Sequence, residues 1–123
     1  MVKEGITDGK RIAELLSSEL SARETGPLSS VSVIDADRDV TPSTDGTLAY
    51  GIAIDGARAG AVALFPEYAR VTLSVGVEAV VKTASNVGVP ARHEDGTVVL
   101  RVESGAAVKP AADLIAATVE SKR

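Results

Sequence analysis

Between residues 48 and 54 the chain alternates strictly. Leu48, Tyr50, Ile52 and Ile54 occupy one phase, and Ala49, Gly51 and Ala53 the other. Successive side chains of a strand point to opposite faces, so a period of two marks a sheet buried on at least one side. Asp55-Gly56 follows at once. Gly accepts positive φ and Asp can bond its own backbone, so the pair favours a turn. Arg58–Phe65 then runs back, Pro66-Glu67 turns the chain again, and Val71, Leu73 and Val75 alternate with Arg70, Thr72 and Ser74. A strand over Val31–Asp37, continuing toward Val40, precedes them, with Pro42–Thr47 as the turn. Four strands with short connections predict an antiparallel meander.

Helical spacing brackets the meander. Ile12, Leu15, Leu16 and Leu20 form one stripe of a helix from about Gly9 to Ala22. Thr7 or Asp8 caps its start and Gly26-Pro27 stops it. Val77, Val80, Val81, Ala84 and Val87 sit at i, i+3, i+4, i+7 and i+10 of a second helix, closed by Gly88. Valine has poor helix propensity, so burial against a sheet has to carry this helix. A short strand around Val89–Arg92 leads through Glu94-Asp95-Gly96 into Thr97–Glu103, where Val98, Leu100 and Val102 alternate. The last helix follows Gly105. Pro110 cannot sit deep inside it, so its regular part begins near Ala107 to Lys109, with Val108, Ala112, Ile115 and Val119 as the buried stripe. The order α-β-β-β-β-α-β-β-α predicts an α+β fold of one domain over residues 1–123. It has two layers, a mainly antiparallel sheet with helices on one face.

Composition narrows the chemistry. A chain of 123 residues buries about two thirds of the surface its unfolded form exposes, so a core needs neither disulfide nor structural metal. With no Cys, a disulfide is impossible. No apolar run approaches the ~18 residues of a membrane span, and Met1–Gly5 lacks the apolar stretch of a signal peptide. The expectation is a soluble cytoplasmic protein with no membrane contact. Seventeen acidic against thirteen basic residues give a net charge of −4, and the cations are scattered rather than massed in a stripe. Tyr50, Phe65 and Tyr68 are the only aromatic residues, too few for a stacking platform. Nucleic-acid binding is not expected.

If helices cover one sheet face, the opposite face should meet water, and Arg70, Thr72, Ser74, Thr97 and Arg101 suit it. The hairpin over residues 48–65 does not. Its alternate positions are Ala49, Gly51 and Ala53 on one strand. On the other they are Gly60, Val62 and Leu64, or Ala59, Ala61 and Ala63, because an odd count of loop residues at Asp55-Gly56 swaps the facing. Either way the surface is uncharged and small. A helix approaching closely would explain it. So would self-association, since a soluble monomer rarely leaves a broad apolar face bare and two-fold dimers are the commonest oligomers. A homodimer with Ala49, Gly51 and Ala53 in its interface is expected, its other protein partners left open.

Three clusters invite chemistry. On a strand, Asp35, Asp37 and Asp39 would share a face opposite Arg38, and three carboxylates can hold Mg²⁺ or Ca²⁺. The calcium-loop Gly is missing, however, since Val40 follows, and a solvated acidic strand end accounts for the run. His93 would serve as a general base if a carboxylate oriented it, but Glu94 and Asp95 in a tight turn reach solvent instead. Thr7-Asp8-Gly9-Lys10-Arg11 offers helix-start amides and two cations, Lys10 and Arg11, to a phosphate or carboxylate, with Asp8 competing for the amides. Gly51 and Gly56 stand at P-loop separation without the Lys-Ser/Thr, in a hairpin context. No cofactor is expected.

The segments Val2–Leu16, Val33–Val40 and Gly105–Lys109 resemble a small family of uncharacterised haloarchaeal proteins about as long as this chain. The resemblance covers nearly the whole length and implies the two-layer α+β fold already read. It carries over no functional residue, and Pro110 departs from the family's last helix. The absence of Gln, eight Arg against five Lys and the acidic excess fit a high-GC, salt-adapted source. The leading expectation is a non-catalytic protein acting through protein contacts. The alternatives are a small-ligand or anion-binding regulatory domain using Lys10 and Arg11, and a metal-assisted or acid–base enzyme using Asp35, Asp37, Asp39 or His93.

Overall fold

Asp8 begins the first helix as a side-chain cap, its Oδ1 accepting the backbone N–H groups of Lys10 at 2.9 Å and Arg11 at 3.4 Å. That helix, α1 (Gly9–Ser21), buries Ile12, Ala13, Leu16 and Leu20 along one stripe. The computed structural model describes residues 8–22, 27–37, 39–75, 77–87 and 89–122. The expectations for Thr7, Gly26, Arg38 and Gly88 lie outside them. A short 3-10 turn, Pro27–Ser30, leads into β1 (Val31–Ile34), followed by β2 (Thr47–Ile54), β3 (Ala57–Leu64) and β4 (Ala69–Leu73). After α2 (Val77–Val87) come β5 (Ala91–Glu94), β6 (Thr97–Val102), a 3-10 turn at Gly105–Ala107 and α3 (Val108–Lys122). The fold is α+β, in the order the periodicities predict.

The six strands form one sheet in the order β1-β2-β3-β4-β6-β5, every neighbouring pair antiparallel. The chain passes from β4 through α2 to the far edge, and β6 then returns between β4 and β5. The β2–β3 and β5–β6 hairpins turn on Asp55-Gly56 and Asp95-Gly96. All four residues have positive φ, as a tight two-residue hairpin turn demands.

Helices lie on one face. Ile52, Ile54, Val62, Leu64, Val71, Leu73, Val98, Leu100 and Val102 point into that layer and are buried. Helix α1 covers β1, β3 and β4, whereas α2 lies against β5 and β6. Helix α3 sits between the two other helices, so its buried arc extends beyond Val108, Ala112, Ile115 and Val119 to Ala111, Leu114 and Thr118. Thr118 is reconciled to this burial by donating its hydroxyl to the Ile115 carbonyl at 2.6 Å. Pro110 is the third residue of α3, where backbone N–H groups have no intrahelical partner, so it interrupts nothing.

Two irregularities alter the expected facing. The register of β2 against β3 slips between Leu48 and Tyr50, leaving Ala49 as an extra residue. Tyr50, Ile52 and Ile54 therefore face the helices, but Leu48 turns to the opposite face and stands 55% exposed. A second slip leaves Ala59 unpaired on β3, its carbonyl accepting from the Ser74 amide at 2.9 Å and the Ser74 hydroxyl at 3.0 Å. A two-residue turn alone would send Ala61 and Ala63 toward the helices. The extra Ala59 reverses this, and Gly60, Val62 and Leu64 take the helix side.

Candidate functional site

The sheet face away from the helices carries two different surfaces. Over β1, β2 and β3 it is mostly apolar and crossed by one ion pair: register pairs Ile34 with Gly51 and Leu48 with Ala63, and sets Ala61 beside Gly51 and Thr72. The Arg58 guanidinium folds over Gly51, beside Ile34, and meets Asp35 at 3.3 Å. Over β4, β6 and β5 the same face carries three arginines, two of them paired with Glu94 and Glu103. Arg70 and Arg101 are direct cross-strand partners, and Arg92, opposite Val99, is diagonal to Arg101. Among the described residues no helix or strand covers either surface.

The expected interface residues separate. Gly51 and Ala53 belong to the open face, where Ala53 is already 2% exposed. Ala49, displaced by its bulge, lines a cleft on the helix side instead.

That cleft, about 470 Å³, lies between α1 and the segment following β1. Ala13, Val33, Val40, Ala49, Tyr50 and Leu64 form its apolar part, and Lys10, Arg11, Glu14 and Asp37 its charged part. The two proposed anion ligands do line one cavity, but the amides meant to assist them are spent on Asp8, and Arg11 pairs with Glu14 at 3.4 Å. The Tyr50 hydroxyl donates to the Ala13 carbonyl at 2.8 Å, and burial pushes its pKa up from the usual 10.0. It is a clamp between β2 and α1, held protonated.

The acidic run does not build a cation site. Strand β1 ends at Ile34, and Asp35 takes φ 53, which turns the chain out of the extended conformation that would align the three carboxylates. Asp35 pairs with Arg58, while Asp37 accepts the Asp39 amide at 3.0 Å as a local turn. Among the described residues no group of three or more His, Asp or Glu could hold a metal ion. His93 is exposed on the edge strand β5, which is shifted toward the turn relative to the expected 89–92. Glu94, the acid adjacent to it, pairs with Arg92 at 3.3 Å. Gly51 and Gly56 sit in a strand and a hairpin turn rather than a phosphate loop.

Sequence reading missed the cationic surface. Arg70, Arg92 and Arg101 come from three segments, and only the insertion of β6 between β4 and β5 makes them neighbours. Nor does spacing announce the ring pair at the β3–β4 turn: Phe65 and Tyr68 stack with centroids 4.5 Å apart and planes 6° from parallel. Each ring carries a guanidinium, Arg70 over Phe65 at 5.0 Å and Arg101 over Tyr68 at 4.3 Å.

Among the described residues no helix is long and apolar enough to cross a membrane. Neither a curated protein nor a solved structure matches the chain. The model of the Family of unknown function (DUF7993) does match, over residues 1–123, and the chain belongs to that family.

Proposed function

We propose that the protein acts through protein contacts rather than catalysis, as a homodimer joined through the apolar half of its open sheet face. The observation that carries this reading is Leu48, a large aliphatic side chain 55% exposed next to Ala63. It is placed there by a backbone bulge rather than left over from an amphipathic pattern. Flanked by Ala61 and Ala63, it crowns a patch whose small side chains let a second sheet approach closely, bounded on the β1 side by the Arg58–Asp35 pair over Gly51. Two eight-residue strands at about 4.8 Å spacing, with the four-residue β1 beside them, give roughly 300 Å² of flat surface, the size of the largest apolar patch on an ordinary monomer, which is often functional. That is smaller than the ~800 Å² per partner of a standard interface, so the dimer of this reading is a weak one in exchange with the monomer. In a two-fold arrangement, apolar half meets apolar half and the arginine halves stay at opposite ends.

The acidic balance and the resemblance to haloarchaeal proteins support a setting in a salt-adapted cytoplasm. Native mass spectrometry of gently purified protein tests the reading. It should show a species of twice 12.6 kDa beside the monomer, lost in Leu48→Glu. A monomer alone at tens of micromolar contradicts it.

A further inference from the structure

The geometry points to an oxyanion-binding site on the cationic half of the open face, formed by Arg70, Arg92 and Arg101 beside Tyr68, for a compact ligand bearing a phosphoryl group. The inference goes beyond the dimer reading and uses residues outside the apolar half.

Arg70, Arg92, Arg101, Tyr68 and Val99 line a concavity of about 280 Å³, with no carboxylate in its lining. Like charges directly opposite on neighbouring strands destabilise a sheet, yet Arg70 and Arg101 are such a pair. Arg92 adds a third positive charge one diagonal step away. The neutralisation available within the chain is slight. Arg92 meets Glu94 at 3.3 Å and Arg101 meets Glu103 at 3.2 Å, both as solvent-exposed pairs of the kind that contribute little. Among the described residues Arg70 has no carboxylate partner.

The rings hold the cations in place. A guanidinium lying over a ring uses its face and leaves its edge N–H donors directed outward, the fork that recognises phosphate in a bidentate manner. The stack of Phe65 on Tyr68 therefore restrains each guanidinium separately, Arg70 on one ring and Arg101 on the other.

The same packing sets the ligand class. Tyr68 already stacks on Phe65 and carries Arg101, which leaves it a poor platform for a nucleobase. Glu67 and Glu103 line the adjoining concavity beside Tyr68 and Arg101, which repels any extension of a polyanion along the face. A phosphate monoester or free phosphate fits these limits, and a nucleic-acid backbone does not.

The test follows the arginine Nε–H signals of full-length protein by NMR during titration with inorganic phosphate, at ionic strength fixed with KCl. Parallel titrations use glycerol phosphate and a short oligothymidylate. Saturable shifts at Arg70, Arg92 and Arg101 are expected with phosphate and glycerol phosphate. Affinity should fall about tenfold or more in Arg101→Gln, the loss expected for one charge-assisted hydrogen bond, and stay unchanged in Lys10→Ala. Arg92→Gln, on an exposed edge strand, provides a second variant with little demand on folding, and it should weaken phosphate in the same direction. The proposal is overturned by shifts that never saturate, by affinity indifferent to the arginine variants, or by tighter binding of oligothymidylate than of phosphate.

Discussion

Gly9 shows how one residue can position a helix. Its N–H donates to the Pro66 carbonyl at 3.2 Å, and a Cβ built on it would run into the carbonyl oxygens of Phe65 and Tyr68. The start of α1 can therefore seat on the β3–β4 turn only where a side chain is lacking. Gly9→Ala is expected to destabilise the fold by about 1–3 kcal/mol, as overpacking against backbone does, read from the midpoint of a urea melt. Tyr50 ties the other side of α1 to the sheet. Its hydroxyl is buried, and its pKa is raised above 10.0 in the folded state. Above pH 10 the unfolded chain releases this proton while the folded chain holds it, so folding takes up protons there. Its contribution is intact below pH 10 and declines as the pH climbs beyond it, by at most about 1.4 kcal/mol per pH unit. Urea melts between pH 9 and about 11 should therefore slope less steeply for Tyr50→Phe, which gives up about 1 kcal/mol near neutrality with the lost hydrogen bond. Equal slopes would show that the hydroxyl is not held protonated by the fold.

At the scale of elements, the periodicities were informative where an element is long and uninterrupted. The alternation of β4 and β6 appears as read, because burial on one side imposes it directly, whereas the α1 stripe takes in Ala13 and leaves Leu15 half-buried, and the α3 stripe widens to Ala111, Leu114 and Thr118. The irregular positions were not legible. The bulges add Ala49 and Ala59 within runs of Ala, Gly and Val, where an extra small residue leaves the pattern almost unchanged yet reverses every side chain beyond it. The end of β1 was hidden for a different reason: Asp35 continues the alternation in sequence, but its left-handed backbone turns away from it. In α2, Val81 is 38% exposed, the flank of a stripe that Val80 and Ala84 bury. For the candidate sites, Lys10 and Arg11 were legible as neighbours because they are adjacent in sequence. The arginine surface depends on strand order, which local patterns do not encode. Helix α3 gives a direct contrast in sensitivity. Pro110→Ala should change stability by less than about 0.5 kcal/mol, since the third residue's amide has no helical partner to gain. Leu114→Ala, one turn further in and fully buried, in a helix that packs against both α1 and α2, should cost about 2–5 kcal/mol. Chemical denaturation of both variants checks the pair, and a large effect of Pro110→Ala would place the start of α3 elsewhere.

The described residues form a two-layer slab, with one side of the sheet closed by three helices and the other left open among them. Its core is aliphatic, and among the described residues no buried side-chain nitrogen or oxygen lacks a hydrogen-bond partner. The groups that would make it reactive are dispersed: His93 is at one edge, Asp35 is paired with Arg58, and Asp37 holds a turn. What remains distinctive is the open face, apolar at one end and arginine-rich at the other. Sedimentation equilibrium across a micromolar concentration series tests most directly whether the apolar end is a contact surface. The account predicts a reversible monomer–dimer equilibrium for the native protein, abolished by Leu48→Glu and by Ala61→Glu with melting temperatures little changed, and retained by Lys10→Ala in the cleft under α1. A native protein that sediments as a monomer up to tens of micromolar, or a dimer indifferent to both substitutions on the open face, would contradict it.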